Sequence, residues 1–126
     1  MNVREKITEA ITALNELDEY DSTLNDRLYQ CDSETQDLLH LIENNTLKTS
    51  QCYRIIRELH KIRIERRKIK NDIELMKTYR QNQQKLLNCE SRKFIIPEIG
   101  KMEKQLNSTY KNRVYTEEEL KEMVGV

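Results

Sequence analysis

The sequence predicts a mainly α-helical fold: a long antiparallel helical hairpin followed by a small C-terminal segment of short helices, with room there for one or two short β-strands. Three observations predict it. Two stretches carry unbroken heptad seams, turn chemistry separates them, and their charges are opposite. The first seam runs Val3, Ile7, Ala10, Leu14, Leu17, Asp21, Leu24, Leu28, Cys31, Thr35, Leu38, Ile42. The second runs Cys52, Ile55, Leu59, Ile62, Arg66, Ile69, Ile73, Met76, Arg80, Gln83, Leu87. Both step by alternate threes and fours, the spacing that keeps one stripe of a helix against a partner helix.

The turn falls in Asn44-Asn45-Thr46-Leu47-Lys48-Thr49-Ser50. Folding back there sets Ile42 against Cys52, Leu38 against Ile55, Cys31 against Ile62 and Leu17 against Met76. Each arm then has roughly 40 residues and a length near 60 Å. Charge supports the same pairing. Residues 1–47 hold three bases (Arg4, Lys6, Arg27) and eleven acids, whereas residues 48–93 hold fourteen bases and five acids. An acidic arm prefers a basic one over its own kind. An exposed ion pair contributes only about 0–1 kcal/mol, so these charges choose the partner more than they stabilise the fold.

Two core-type positions carry charge. Asp21 and Arg66 lie too far apart along the hairpin to bridge each other, and a lone charge in a dry seam is costly. Arg66 either extends its guanidinium to water along its apolar stem or lines a polar hole that admits a ligand or another subunit. A second apolar stripe, Tyr53, Ile64, Leu75 and Leu86, repeats every eleven residues and returns to one helix face. It needs cover, which the C-terminal segment and a second subunit supply. The expectation is therefore a homo-oligomer, a dimer or higher.

The C-terminal third starts after residue 91, dividing the chain into a hairpin (1–91) and a docking segment (92–126). Phe94-Ile95-Ile96-Pro97 reads as a brief extended piece closed by the only proline. Pro97 then opens a helix over roughly 97–109 on the spacing of Ile99, Met102, Leu106 and Tyr110, with Gly100 its weak point. Thr116 and Glu119 form a T-x-x-E capping box, and Glu117, Glu118 and Glu119 complement the dipole of a helix over 117–124.

Charged residues make up 35% of the chain, which has no Trp, one Phe, two Gly and one Pro. That suits long helices and argues against a β-sandwich or a doubly wound sheet. No apolar run approaches the ~20 residues that span a bilayer, so the expectation is a soluble cytoplasmic protein with no membrane partner. Cys31 and Cys52 fall on the seam as small hydrophobes, and Cys89 leaves the number odd. His40 and His60 lie off the seam without companions at ligand spacing. No metal or cofactor is expected. No nucleophile–base pair or phosphate loop can be assembled either, which argues against an enzyme.

The densest basic run is Lys61 to Lys70, joined by Arg54 and Arg57. The acidic arm beside it and the lack of interleaved aromatics argue against a nucleic-acid track. A few of its arginines could still hold a small, multiply charged nucleotide. The best ligand-facing cluster is Tyr110-Lys111-Asn112-Arg113-Val114-Tyr115. Tyrosine rings stack on a base, Arg and Lys meet phosphate, and Asn reads polar edges. Equally, the same aromatics could dock the tail on the hairpin.

Asp37-Leu38-Leu39-His40-Leu41-Ile42-Glu43, Ser50-Gln51-Cys52-Tyr53 and the run Ile62 to Asp72 resemble a helical-hairpin pattern in small early proteins of phages of Gram-positive bacteria. The tail from Tyr110 to Leu120 resembles the Arg-Val-containing C-terminal motif of some of them. One such group is the phage anti-Thoeris sponge family, which sequesters cyclic ADP-ribose-type immune signals and, in some members, cyclic oligonucleotides. The resemblance covers about two-fifths of the chain, and Asn112 stands where that family's pattern has proline. It implies a non-enzymatic anti-defence protein of the host-cell cytoplasm, with a cyclic nucleotide-type ligand, oligomeric assembly and some β-strand near 92–96 and 110–115. It points to Arg113 first as a ligand-binding residue, and to Phe94 for base stacking. Tyr110, Tyr115, Asn112, Lys111 and Arg66 complete the candidate site. The alternative is a helical protein-interaction module that binds and inhibits a host protein.

Overall fold

A computed structural model describes residues 2–107 and 114–125. Helix α1 spans Val3–Asn44 and helix α2 Thr49–Gln81. A 3₁₀ segment, Gln83–Leu87, leads to the short α3 (Cys89–Arg92), then α4 (Ile95–Leu106) and α5 (Glu117–Val124). The fold is mainly α-helical, with no strand among the described residues. The hairpin turns between Asn44 and Thr49, inside the segment read as a turn.

The caps follow from the residues at the ends. The Asn2 side chain accepts from the Glu5 N–H at 2.9 Å and starts α1. At the head of α2 the Gln51 side chain accepts from the Lys48 N–H at 2.9 Å. The reciprocal half of a capping box is absent there, because a lysine side chain has no acceptor. Helix α5 has both halves. Thr116 Oγ1 accepts from the Glu119 N–H at 3.2 Å, and Glu119 accepts from the Thr116 N–H at 3.5 Å. Gly125, at φ 76°, closes α5 in the left-handed conformation that glycine adopts without a Cβ clash.

The second arm is shorter than the seam suggested. Asn82 ends α2 by donating its side-chain N–H to the Thr78 carbonyl at 2.8 Å. Its own backbone N–H bonds the Tyr79 carbonyl at 3.0 Å. A side chain that can substitute for a helical hydrogen bond makes a natural stop. Gln83 and Leu87 continue the heptad count but sit in the 3₁₀ segment, and Leu87 is exposed. The extended or strand piece expected around 92–96 is also corrected, because that stretch is the end of α3, a turn at Lys93-Phe94 and the start of α4. Asn88 caps α3 by accepting from the Glu90 and Ser91 N–H groups at 2.8 and 3.3 Å. Helix α4 opens at Ile95, two residues before the expected Pro97, and runs to Leu106. Pro97 falls within its first turn, where a missing N–H costs no helical bond.

The core is one cluster along the hairpin: Leu24, Cys31, Ile62, Ile69 and Met76, flanked by Leu28, Leu38, Ile73 and Tyr79. Cys31 and Ile62 share it, as the fold-back arithmetic requires. Leu17 does not join Met76 there and stays 37% exposed. Its layer lies near the end of α2, because the arms differ in length. Helix α1 has 42 residues against 33 in α2, so its first turns run past the end of their partner. Helix α4 returns along α2, making α2 the central helix. Leu75 lines the α2–α4 groove with Leu106, so part of the second stripe is covered within the chain. Tyr53 and Ile64 remain exposed.

Both seam charges have partners that the comparison of Asp21 with Arg66 alone did not reveal. Asp21 pairs with Arg80. Arg66 Nε donates to Asp32 Oδ1 at 2.7 Å, with the arginine the more buried of the two.

Candidate functional site

Opposite flanks of the hairpin carry different polar arrangements. On one flank a relay crosses between the arms. Tyr20 Oη donates to Asp72 Oδ2 at 2.5 Å, Arg27 Nη1 donates to Tyr20 Oη at 3.2 Å, and Arg27 Nη2 meets Glu65 Oε1 at 2.6 Å. The Arg27 guanidinium also lies 5.6 Å from the centre of the Tyr20 ring. The hydrogen bonds from Tyr20 and then Glu65 raise the Arg27 pKa further above its ordinary value. The other flank carries Arg66–Asp32 and Asp21–Arg80.

Among the open grooves on this framework, three combine apolar and polar lining near the arms' contacts. One of about 350 Å³ lies over Cys31, Ile62 and Ile69 and is rimmed by Arg27, Glu34, Glu58 and Lys61. Its cations are already engaged, Arg27 by Glu65 and Lys61 by Glu58 at 3.4 Å. An anion at Arg27 would compete with its cross-arm bond to Glu65, and one at Lys61 with a pair inside α2. Burial first, and then the carboxylates of Glu34, Glu65 and Asp32, push the Cys31 thiol above its ordinary value. That disfavours the reactive thiolate.

A second groove, about 510 Å³, opens at the hairpin turn between Leu38, Leu41, Leu47 and Ile55, with Arg54 and Gln51 at its polar edge. The third, about 340 Å³, lies between α2 and α4 and is lined by Lys68, Asn71, Asp72, Leu75, Glu103 and Asn107. Asn107 closes α4, so the chain leaves that helix beside Lys68 and Asn71.

The expected ligand residues fare differently. Tyr110, Lys111, Asn112 and Arg113 lie outside the described residues. Tyr115 is exposed, immediately ahead of the α5 cap. Phe94 is exposed on the α3–α4 connection, with the Lys93 ammonium 5.3 Å from its ring centre. Arg66 is spent on Asp32, so ligand access to it requires breaking that pair. Neither Phe94 nor Arg66 lines any of these three grooves.

Sequence reading missed the Asp72–Tyr20–Arg27–Glu65 relay. Its residues flank the seam and carry no motif, and the available clue was Arg27, a base set apart from Arg4 and Lys6 in the middle of an acidic arm. Among the described residues no group of three or more His, Cys, Asp and Glu side chains is arranged to hold a metal ion, and no helix is long and apolar enough to cross a membrane. The chain matches no protein-family model, no curated protein and no solved structure.

Proposed function

We propose that this protein is a non-enzymatic phage anti-defence protein that sequesters a nucleotide second messenger of host immunity, a cyclic ADP-ribose-type signal or a cyclic oligonucleotide. One observation carries the reading. Helix α4 delivers the chain, at Asn107, to the side of α2 that holds Lys68 and Asn71. Arg113 is six residues further on, within about 20 Å at the reach of an extended chain. A nucleotide needs a π surface for its base and charge-assisted donors for its phosphates. Tyr110, Arg113 and Tyr115 together with basic residues of α2 such as Lys68 are groups of the types required, and the resemblance of the Arg113-Val114 tail to the sponge family supports the reading.

Thermal unfolding with cyclic ADP-ribose isomers and cyclic dinucleotides tests this. Ligand at about 100 times its Kd stabilises by roughly 2.7 kcal/mol, a rise of order 10 °C for a domain of this size. Arg113→Ala is expected to abolish the rise without changing the unliganded Tm. A flat response to every nucleotide at millimolar concentration rejects the reading.

The exposed Tyr53, Ile56 and Ile64 on α2 favour a second reading, a module that binds and inhibits a host protein through that face. Recovery of the protein alone from host lysate on an affinity column, with wild-type and Tyr53→Asp baits behaving alike, counts against it.

A further inference from the structure

The first turns of α1, before its contacts with α2 at Tyr20 and Asp21, carry an exposed apolar stripe. Val3, Ile7, Ile11 and Leu14 are 73%, 55%, 54% and 42% exposed, and no residue from Asn2 to Tyr20 reaches the core. The stripe continues the seam that buries Leu24 and Cys31 a few turns later, so it has coiled-coil spacing but no partner. Helix α2 cannot serve, because it ends at Gln81 and its Arg80 meets α1 at Asp21.

We propose that the occupant is the same stretch of a second copy, packed antiparallel about a two-fold axis near Ala10 and Ile11. The stripe is close to palindromic. Reversed on itself, it sets Val3 and Ile7 beside Leu17 and Leu14 of the other copy, with the small Ala10 at the crossing. Such an isologous contact needs one patch that complements itself under two-fold rotation.

Charge picks the same orientation. Arg4 and Lys6 sit at one end, and Glu16, Asp18 and Glu19 at the other. Among the described residues none of these five has an ion-pair partner within the chain. Arg4 and Asp18 are two heptads apart on the same flank of the seam. An antiparallel pair therefore brings each Arg4 to the Asp18 of the other copy, and a parallel pair sets like against like. The stripe is small, under roughly 1,200 Å² of total buried surface, which places the dimer among weak, concentration-dependent interfaces.

Sedimentation velocity over about 5–500 μM, the upper range such a small interface requires, tests the proposal. The wild-type chain is expected to move from 15.2 kDa toward twice that mass. Ile7→Glu with Leu14→Glu is expected to stay monomeric with an unchanged unfolding midpoint, because neither side chain joins the core cluster. Arg4→Glu is expected to weaken association about tenfold or more, and adding Asp18→Arg to restore it. Removing 114–126 should leave the dimer intact. A wild-type monomer throughout, a dimer that survives Ile7→Glu/Leu14→Glu, a dimer lost with residues 114–126, or growth beyond two copies each overturns the proposal. The inference does not rest on the nucleotide reading, since a monomer that still binds nucleotide would reject this interface alone.

Discussion

Cys31 shows how one seam position combines packing and ionisation. Its thiol is buried against Ile62 and Ile69, and burial with nearby carboxylates raises its pKa in the folded chain. A group held protonated by folding contributes stability that is complete below its unfolded pKa, about 8.5 for a thiol, and is lost as pH rises through the folded value. Urea unfolding should therefore show the wild type losing stability above about pH 8.5 more steeply than Cys31→Ala. Parallel pH profiles would contradict this. At neutral pH the alanine variant is expected to be less stable by about 1 kcal/mol, for the lost sulfur contacts. The burial of Cys31 was legible from its seam position. The partners of Asp21 and Arg66 were not, because a heptad count aligns layers and says little about how far an arginine reaches along the next helix.

At the scale of elements, capping chemistry proved the more readable code. Thr116, Glu119 and Gly125 define α5 at the residues where it begins and ends, because each group acts within one turn. Helix α2 stops through Asn82, whose side chain resembles that of any other polar residue until it closes on Thr78. Hydrophobic spacing carried on to Leu87 without recording the stop. Helix α4 began at Ile95 because burial of that side chain outweighed the usual first-position preference of Pro97. Gly100 lies inside α4, and a Cβ placed there would meet no atom within 4 Å. Gly100→Ala should therefore stabilise the protein by about 0.5–1 kcal/mol, read as a higher midpoint in chemical denaturation. A lower midpoint would mean that the open face of α4 is occupied by something else.

For the molecule as a whole, charge segregation and unequal arm lengths act together. The acidic α1 and basic α2 find each other, and cross-arm pairs such as Arg27–Glu65 and Arg66–Asp32 mark the register. Seam counting foresaw the hairpin itself. It did not foresee that the arms differ in length, since a polar stop in one arm is invisible to the apolar period of the other. The candidate ligand cluster was readable only as a list of side-chain types, because convergence on a site depends on where α4 releases the chain.

The unequal arms also divide one continuous helix into two regimes of protection. From Leu24 onward the amides of α1 open only when the hairpin separates. Toward Val3 they lie in turns that run beyond the end of α2 and make no core contact, and helix without tertiary packing is only marginally stable in water. Hydrogen exchange on dilute protein should therefore show protection falling from Leu24 toward Val3 within a single helix. Uniform slow exchange along α1 at that dilution would mean that the early turns are held by contacts this structure lacks.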